Sequence, residues 1–284
     1  MTPVLNPNSH QLATTAQASP RRLHVLDLEL ALFATCLALL ALGIWGPSVK
    51  QPSVYHAFAD QRLVFGVPNM MDVLSNLMFA GFGLVGTWRI WRAPQGVVQP
   101  GQKCLGALFF FGLLMTAVFS SWYHLQPDDP GLAIDRYGMT IAFAGLLGLA
   151  AATRVSDRAG QWLAFAALVC GAWSIWTWSA GGNVLPWAVL QFGGIALVLG
   201  MGSLPARADA LPVSWISVIL IYALAKLLEH ADAQVYQLTH TLVSGHTLKH
   251  IVASCAALPV LAALARVGCP LESSARNATV AAKR

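Results

Sequence analysis

Apolar residues gather into eight runs of about twenty residues, the length of one membrane crossing. The runs are Leu28–Trp45, Met70–Ile90, Lys103–Tyr123, Leu132–Ala152, Trp162–Ser179, Leu185–Gly202, Val213–Leu228 and His246–Ala265. The connections between them are mostly short and rich in Pro, Gly, Asp and Arg, which end helices and make turns. The pattern predicts an all-α integral membrane protein with eight spans. Gly81, Gly83, Gly86, Gly193 and Gly194 fall inside runs, where small residues let helices approach closely in lipid. Residues 1–27 are largely polar and read as a disordered tail, followed by an extra N-terminal helix over 28–46. Arg21 and Arg22 precede that helix as they would precede a signal peptide. No small-residue cleavage site follows it, so the helix is expected to stay attached.

Composition agrees with lipid as the solvent. Of 284 residues 56% are hydrophobic and 10% charged, against about 25% charged in a soluble domain. The net charge of +5 is spread over loops and tails, so it indicates membrane orientation and no nucleic-acid partner. Cys36, Cys104, Cys170, Cys255 and Cys269 form no CxxC and no disulfide framework. They read as small core residues.

Charge also sets the topology. With the N-terminus inside, the inner segments and flanking helix ends hold Arg21, Arg22, Arg89, Arg92, Lys103, Arg154, Arg158, Arg207, Arg266, Arg276, Lys283 and Arg284. The outer side holds Lys50, Arg62 and Arg136, while Lys226 and Lys249 lie within spans. Twelve of the 17 basic residues are thus inside and three outside, a strong positive-inside bias that puts both termini, including a tail at 268–284, in the cytoplasm.

That orientation gathers the polar residues of the spans at one face. His246 and His250, four apart at the start of the last run, stack on one side of a helix. The third run ends outside at His124, with Ser120 one turn earlier, and Pro127, Asp128, Asp129 and Pro130 are expected to stop its helix. Asp135 then opens the fourth run, and Asn69, Asp72, Ser75 and Asn76 open the second. Three imidazoles and one open position make a catalytic zinc site, in which metal-bound water reaches a pKa of about 7. Ser120 is placed to hydrogen-bond the water or the oxyanion formed on attack, and Asp135 to orient a ligand or act as acid and base.

Three separated pieces carry a resemblance: Asp72-Val73-Leu74-Ser75-Asn76-Leu77; Ser120-x-x-x-His124 followed by Asp135; and His246-x-x-x-His250. In order, spacing and helix position the chain resembles the alkaline ceramidases, of the CREST superfamily of membrane hydrolases that also holds the adiponectin-type receptors. The resemblance implies a seven-helix hydrolase core over 69–267 and zinc held by His124, His246 and His250, with Ser120 and Asp135 at the catalytic water. It implies cleavage of ceramide, or a similar N-acyl lipid, to a sphingoid base and a fatty acid. Animal members carry an acidic, calcium-binding cluster before the first core helix. Here only Asp60 and Asp72 remain as acidic candidates and Asn69 stands where Glu is expected, so a calcium site is doubtful.

Plainer readings accompany each residue. The histidines suit interfacial hydrogen bonds, Ser120 a bond to the carbonyl four residues back, and Asp135 a helix N-terminus. Asn69 reads as an N-cap, with Asp72 in the first turn behind it. Lys226 and Glu229 read as an ion pair, and Trp173–Trp178 as lipid contact or packing. His56, His230 and His240 are outer-side residues that mimic ligands. The competing function is a receptor-like or structural seven-helix protein with an architectural zinc. A transporter is less favoured, because no paired broken helices and few mid-span charges occur. The short outer loops suit a bacterial inner membrane as well as an organelle; the bacterial inner membrane is the expectation, with the site on its non-cytoplasmic side.

Overall fold

The computed structural model describes residues 20–94 and 96–267, with side chains from Val25 onward. It is all-helical, with no strand among the described residues. The elements are α1 Pro20–Trp45, α2 Met70–Ser75, α3 Leu77–Arg92, α4 Pro100–Leu125, α5 Asp129–Arg154, α6 Asp157–Gly181, α7 Leu185–Gly202, α8 Trp215–His230, α9 Asp232–Leu238, α10 Gly245–Ser254 and α11 Ala257–Val267. Most of the expected tail and the C-terminal tail at 268–284 lie outside the described residues. The first helix begins at Pro20, eight residues before the expected Leu28, so its polar N-terminal turns are helical too.

Among the described residues seven helices are long and apolar enough to cross a membrane, counting α2 with α3 and α10 with α11 as one each. The one expected run left over, Val213–Leu228, is α8. At 16 residues it is about 24 Å long, shorter than a hydrocarbon core of about 30 Å.

Two of the crossing helices are interrupted beside the polar end of the bundle. Between α10 and α11 the cause is Pro259, which has no N–H for the carbonyl of Cys255 and whose ring crowds that carbonyl. Between α2 and α3 side chains displace the backbone ladder: Ser75 Oγ donates to Asp72 O at 2.8 Å and Asn76 Nδ2 donates to the same oxygen at 3.0 Å.

The Pro127–Pro130 segment does more than stop α4. Asp128 caps α5, accepting from Gly131 N at 2.7 Å, and Pro130 sits in the first turn, where its missing N–H costs nothing. Helix α5 therefore starts at Asp129 and places Asp135 in its second turn, one turn deeper than the run beginning at Leu132 suggests.

The bundle centres on α4 packed against α5, and two glycines set the distance. A Cβ on Gly112 would lie 2.2 Å from Ala142 N, and one on Gly145 2.2 Å from Phe109 N. Backbone thus meets backbone along most of the pair, which fixes the C-terminal end of α4 relative to the N-terminal end of α5. Helix α3 closes on α4 the same way, with the Phe110 ring filling the space beside Gly86. Gly81, by contrast, meets nothing within 4 Å.

Helix α1 lies at the margin, against α7. Leu39 packs on Gly193, and Phe33 meets Trp162 edge-on at 6.0 Å between ring centroids. Glu29, buried, hydrogen-bonds Ser156 and pairs with Arg158 at the end of α6 remote from the histidines. Trp45, Trp88, Trp91, Trp122 and Trp176 are exposed around the bundle, as expected for lipid and interface contact. Trp178 instead turns inward and is buried, so the Trp-rich run serves both contact and packing.

Candidate metal centre

His124 is the penultimate residue of α4, and His246 and His250 occupy the first turns of α10. The start of α10 is fixed by Ser244, whose Oγ accepts from Thr247 N at 3.0 Å. All three imidazoles are buried, at 1%, 8% and 3% exposure. Their ring centroids lie 4.9, 4.9 and 4.8 Å apart, and one nitrogen from each falls within 4.8 Å of the others. A tetrahedral zinc with bonds of about 2.0 Å needs nitrogens about 3.3 Å apart, so the three rings would have to close slightly around an ion.

Hydrogen bonding decides which lone pairs are free. His250 Nδ1 faces Ser75 Oγ at 2.8 Å and, at 3.2 Å, the Asp72 carbonyl oxygen, which can only accept, while Ser75 Oγ itself lies in donating distance of that same carbonyl. His250 therefore carries its proton on Nδ1, and Nε2 keeps a lone pair for a metal. His124 Nδ1 is buried with no partner. His246 Nε2 faces the Lys249 ammonium at 3.1 Å, while Glu229 Oε1 holds that ammonium at 3.2 Å. Lys249 thus keeps a carboxylate partner even when the imidazole gives its lone pair elsewhere. Three close, buried imidazoles, one with an orphaned nitrogen, form a donor set that suits a metal ion.

Asp135 and Ser120 lie at the same end. Both are buried, the Ser120 side chain faces the Asp135 carboxylate, and Asp135 Oδ1 has no partner. An unpaired carboxylate oxygen in a dry site is costly unless it serves a reaction or a ligand. Ser120 does not bond the carbonyl four residues back; Thr116 does, donating to Gly112 O at 2.9 Å.

Around the cluster Asp60 and Asp72 are joined by Phe58 and Asp232, which the sequence did not single out. Phe58 lays its ring on His124 and His246, at 4.7 and 4.5 Å between centroids. Asp232 clamps two segments over the site, accepting from His246 N at 2.7 Å and from Ala59 N at 2.9 Å. Asp60 holds Arg62 through Nε at 2.7 Å and Nη2 at 2.6 Å, and Arg62 donates to Leu242 O at 2.9 Å. Burial raises the Asp60 carboxyl, but the Arg62 guanidinium outweighs this and holds it below the usual carboxylate range. Asp72 is fully buried and accepts from Thr247 Oγ1 at 2.6 Å, with Oδ2 unpartnered.

Asn69 differs from its expected role. It precedes α2 but makes no side-chain cap; its backbone is left-handed at φ 47°, and Nδ2 donates to His124 O at 2.9 Å. Asn tolerates that backbone, which frees its amide to hold the end of α4. His56 bonds the Tyr123 hydroxyl at 2.8 Å and Asp129 at 3.0 Å, so it belongs to a neighbouring network and not to the cluster. Lys226 pairs with Glu229 as the sequence suggests, and Lys249 completes the trio.

A cavity of about 620 Å³ opens beside His246, between the 52–59 segment and the ends of α5, α7 and α8. Gln191 lines it and also lines an apolar cavity of about 50 Å³ between α5, α7 and α8.

Fold and site together define, among the described residues, an all-helical protein with seven helices suited to crossing a membrane and a buried three-histidine cluster that could hold a metal ion. No known family model matches the chain, and no curated protein matches its sequence.

Proposed function

We propose that the chain is a zinc-dependent amide hydrolase of the alkaline ceramidase type, cleaving ceramide or a similar N-acyl lipid within the membrane. The observation that carries this reading is the convergence of His124, His246 and His250 with the unpartnered oxygen of Asp135. A zinc ion bound by the three histidines would acidify water and polarise the amide carbonyl. Ser120 donates a hydrogen bond to the oxygen on which negative charge develops. Asp135 takes a proton from the attacking water and returns it to the departing amine. Ser75 and Asp72 hold His250 in the tautomer that presents Nε2. The acyl chain runs from the polar cavity toward the apolar one past Gln191, and the amine half faces the open end.

In this reading α8 is a short eighth span, both termini are cytoplasmic, and the site faces the non-cytoplasmic side of a bacterial inner membrane. Purified protein should contain one zinc per chain and release fatty acid from a ceramide panel. A His246→Ala variant that kept full zinc and full hydrolysis would sink the assignment.

The architectural alternative draws on Phe58, whose ring covers two of the histidines. If that cover closes the site for good, Phe58→Ala leaves zinc content unchanged and creates no substrate turnover. A hydrolase gains or loses rate when the same ring is removed.

A further inference from the structure

Arg136 is 1% exposed, and among the described residues its one well-formed hydrogen bond is from Nη2 to Gln51 Oε1 at 2.7 Å, with the Tyr55 hydroxyl also facing the guanidinium. Nε and Nη1 are buried without partners. The guanidinium is held by aromatic rings, with Cζ 4.1 Å from the Trp178 centroid, 5.3 Å from Trp187 and 5.8 Å from Tyr55. Arg136 lines the same 620 Å³ cavity as His246. A buried arginine with spare N–H groups strongly favours an oxyanion, because each unpaired donor costs desolvation that only an acceptor returns. Rings over its face leave approach along its edges, where a planar carboxylate fits side by side. Glu229 and Asp232 line the cavity too and disfavour a phosphate dianion more than a carboxylate.

The geometry points to Arg136 as the receptor for a carboxylate on the amine half of the substrate, which makes N-acyl amino acids the preferred class. This rests on the amide-hydrolase reading for its turnover, though not for its binding. The neutral head group of ceramide leaves Arg136 unpaired, whereas the carboxylate of an N-acyl amino acid satisfies it from the cavity that Arg136 shares with His246.

Binding is measured first, on the purified full chain in lipid nanodiscs, by thermal shift with N-oleoylglycine, its uncharged methyl ester and a lysophosphatidic acid. The expected result is stabilisation by N-oleoylglycine at concentrations at least tenfold below those the ester needs, with the difference lost in Arg136→Gln and partly kept in Arg136→Lys. Equal response to acid and ester in the unaltered protein overturns the proposal, as does response to the phosphate alone. That comparison needs no variant, so poor folding of Arg136→Gln cannot obscure it. Hydrolysis of the same pair follows, with kcat/KM expected to favour the acid at least tenfold. Selective binding without any turnover would overturn the hydrolase reading and leave the carboxylate site standing; turnover indifferent to the carboxylate would do the reverse.

Discussion

Ser75 Oγ and His250 Nδ1 lie 2.8 Å apart, joining the first crossing helix of the core to the last across 175 residues of sequence. The contact orients an imidazole and fixes its proton in one hydrogen bond. Ser75→Ala removes the better of the two acceptors facing Nδ1 and leaves Asp72 O at 3.2 Å. Zinc affinity, measured by competition with a chromophoric chelator, is expected to fall about 10- to 100-fold, with little change in fold.

Metal should stabilise the folded chain by mass action. At a free zinc concentration about 100-fold above Kd, the gain is about 2.7 kcal/mol. The unfolding temperature in detergent should rise with zinc and fall back with chelator. His124→Ala, His246→Ala and His250→Ala should each flatten that response. An unchanged zinc response in all three would place the metal elsewhere.

Tight packing of α4 on α5 gives a test independent of metal. A side chain at Gly145 would meet backbone and not a movable side-chain tip. Gly145→Val should cost about 3 kcal/mol or more, at or above the upper end of ordinary overpacking. Gly81→Ala, in open space, should be close to neutral or slightly stabilising because Ala favours helix. Equal thermal unfolding of the two variants would contradict this packing.

The Asp60–Arg62 clasp predicts a defined acid response. Its carboxyl titrates lower in the folded chain than the unfolded value of about 3.9. Its stabilisation is therefore complete above that value and lost as pH falls through the lower folded one. Asp60→Asn should be less stable than the parent at pH 6 and should converge with it as pH falls below the unfolded carboxylate value of about 3.9. A stability gap that stays constant with pH would show that the clasp does not act through charge.

Much of this molecule was legible in one dimension. Hydropathy located the helices, because a residue in lipid must be apolar whatever its neighbours are. The i, i+4 spacing of His246 and His250 placed both on one helix face, and the charge count set them at the same end as His124 and Asp135. Ser75 was legible as a residue beside the site, but its role in fixing the His250 tautomer was not. Asn69 was misread as a cap, since its left-handed backbone and its reach to His124 depend on where α4 ends. Arg136 counted only as an outer positive charge; the rings that enclose it come from the 52–59 segment, α6 and α7. Phe58 and Asp232 gave no sequence signal for the same reason, and Lys249 counted only as a charge within a span. Composition and periodicity mark which stretches form helices of crossing length and which polar residues lie at their ends. Only packing, set here by the close contact at Gly112 and Gly145, fixes how the helices turn toward one another, and hence which side chains share a hydrogen bond.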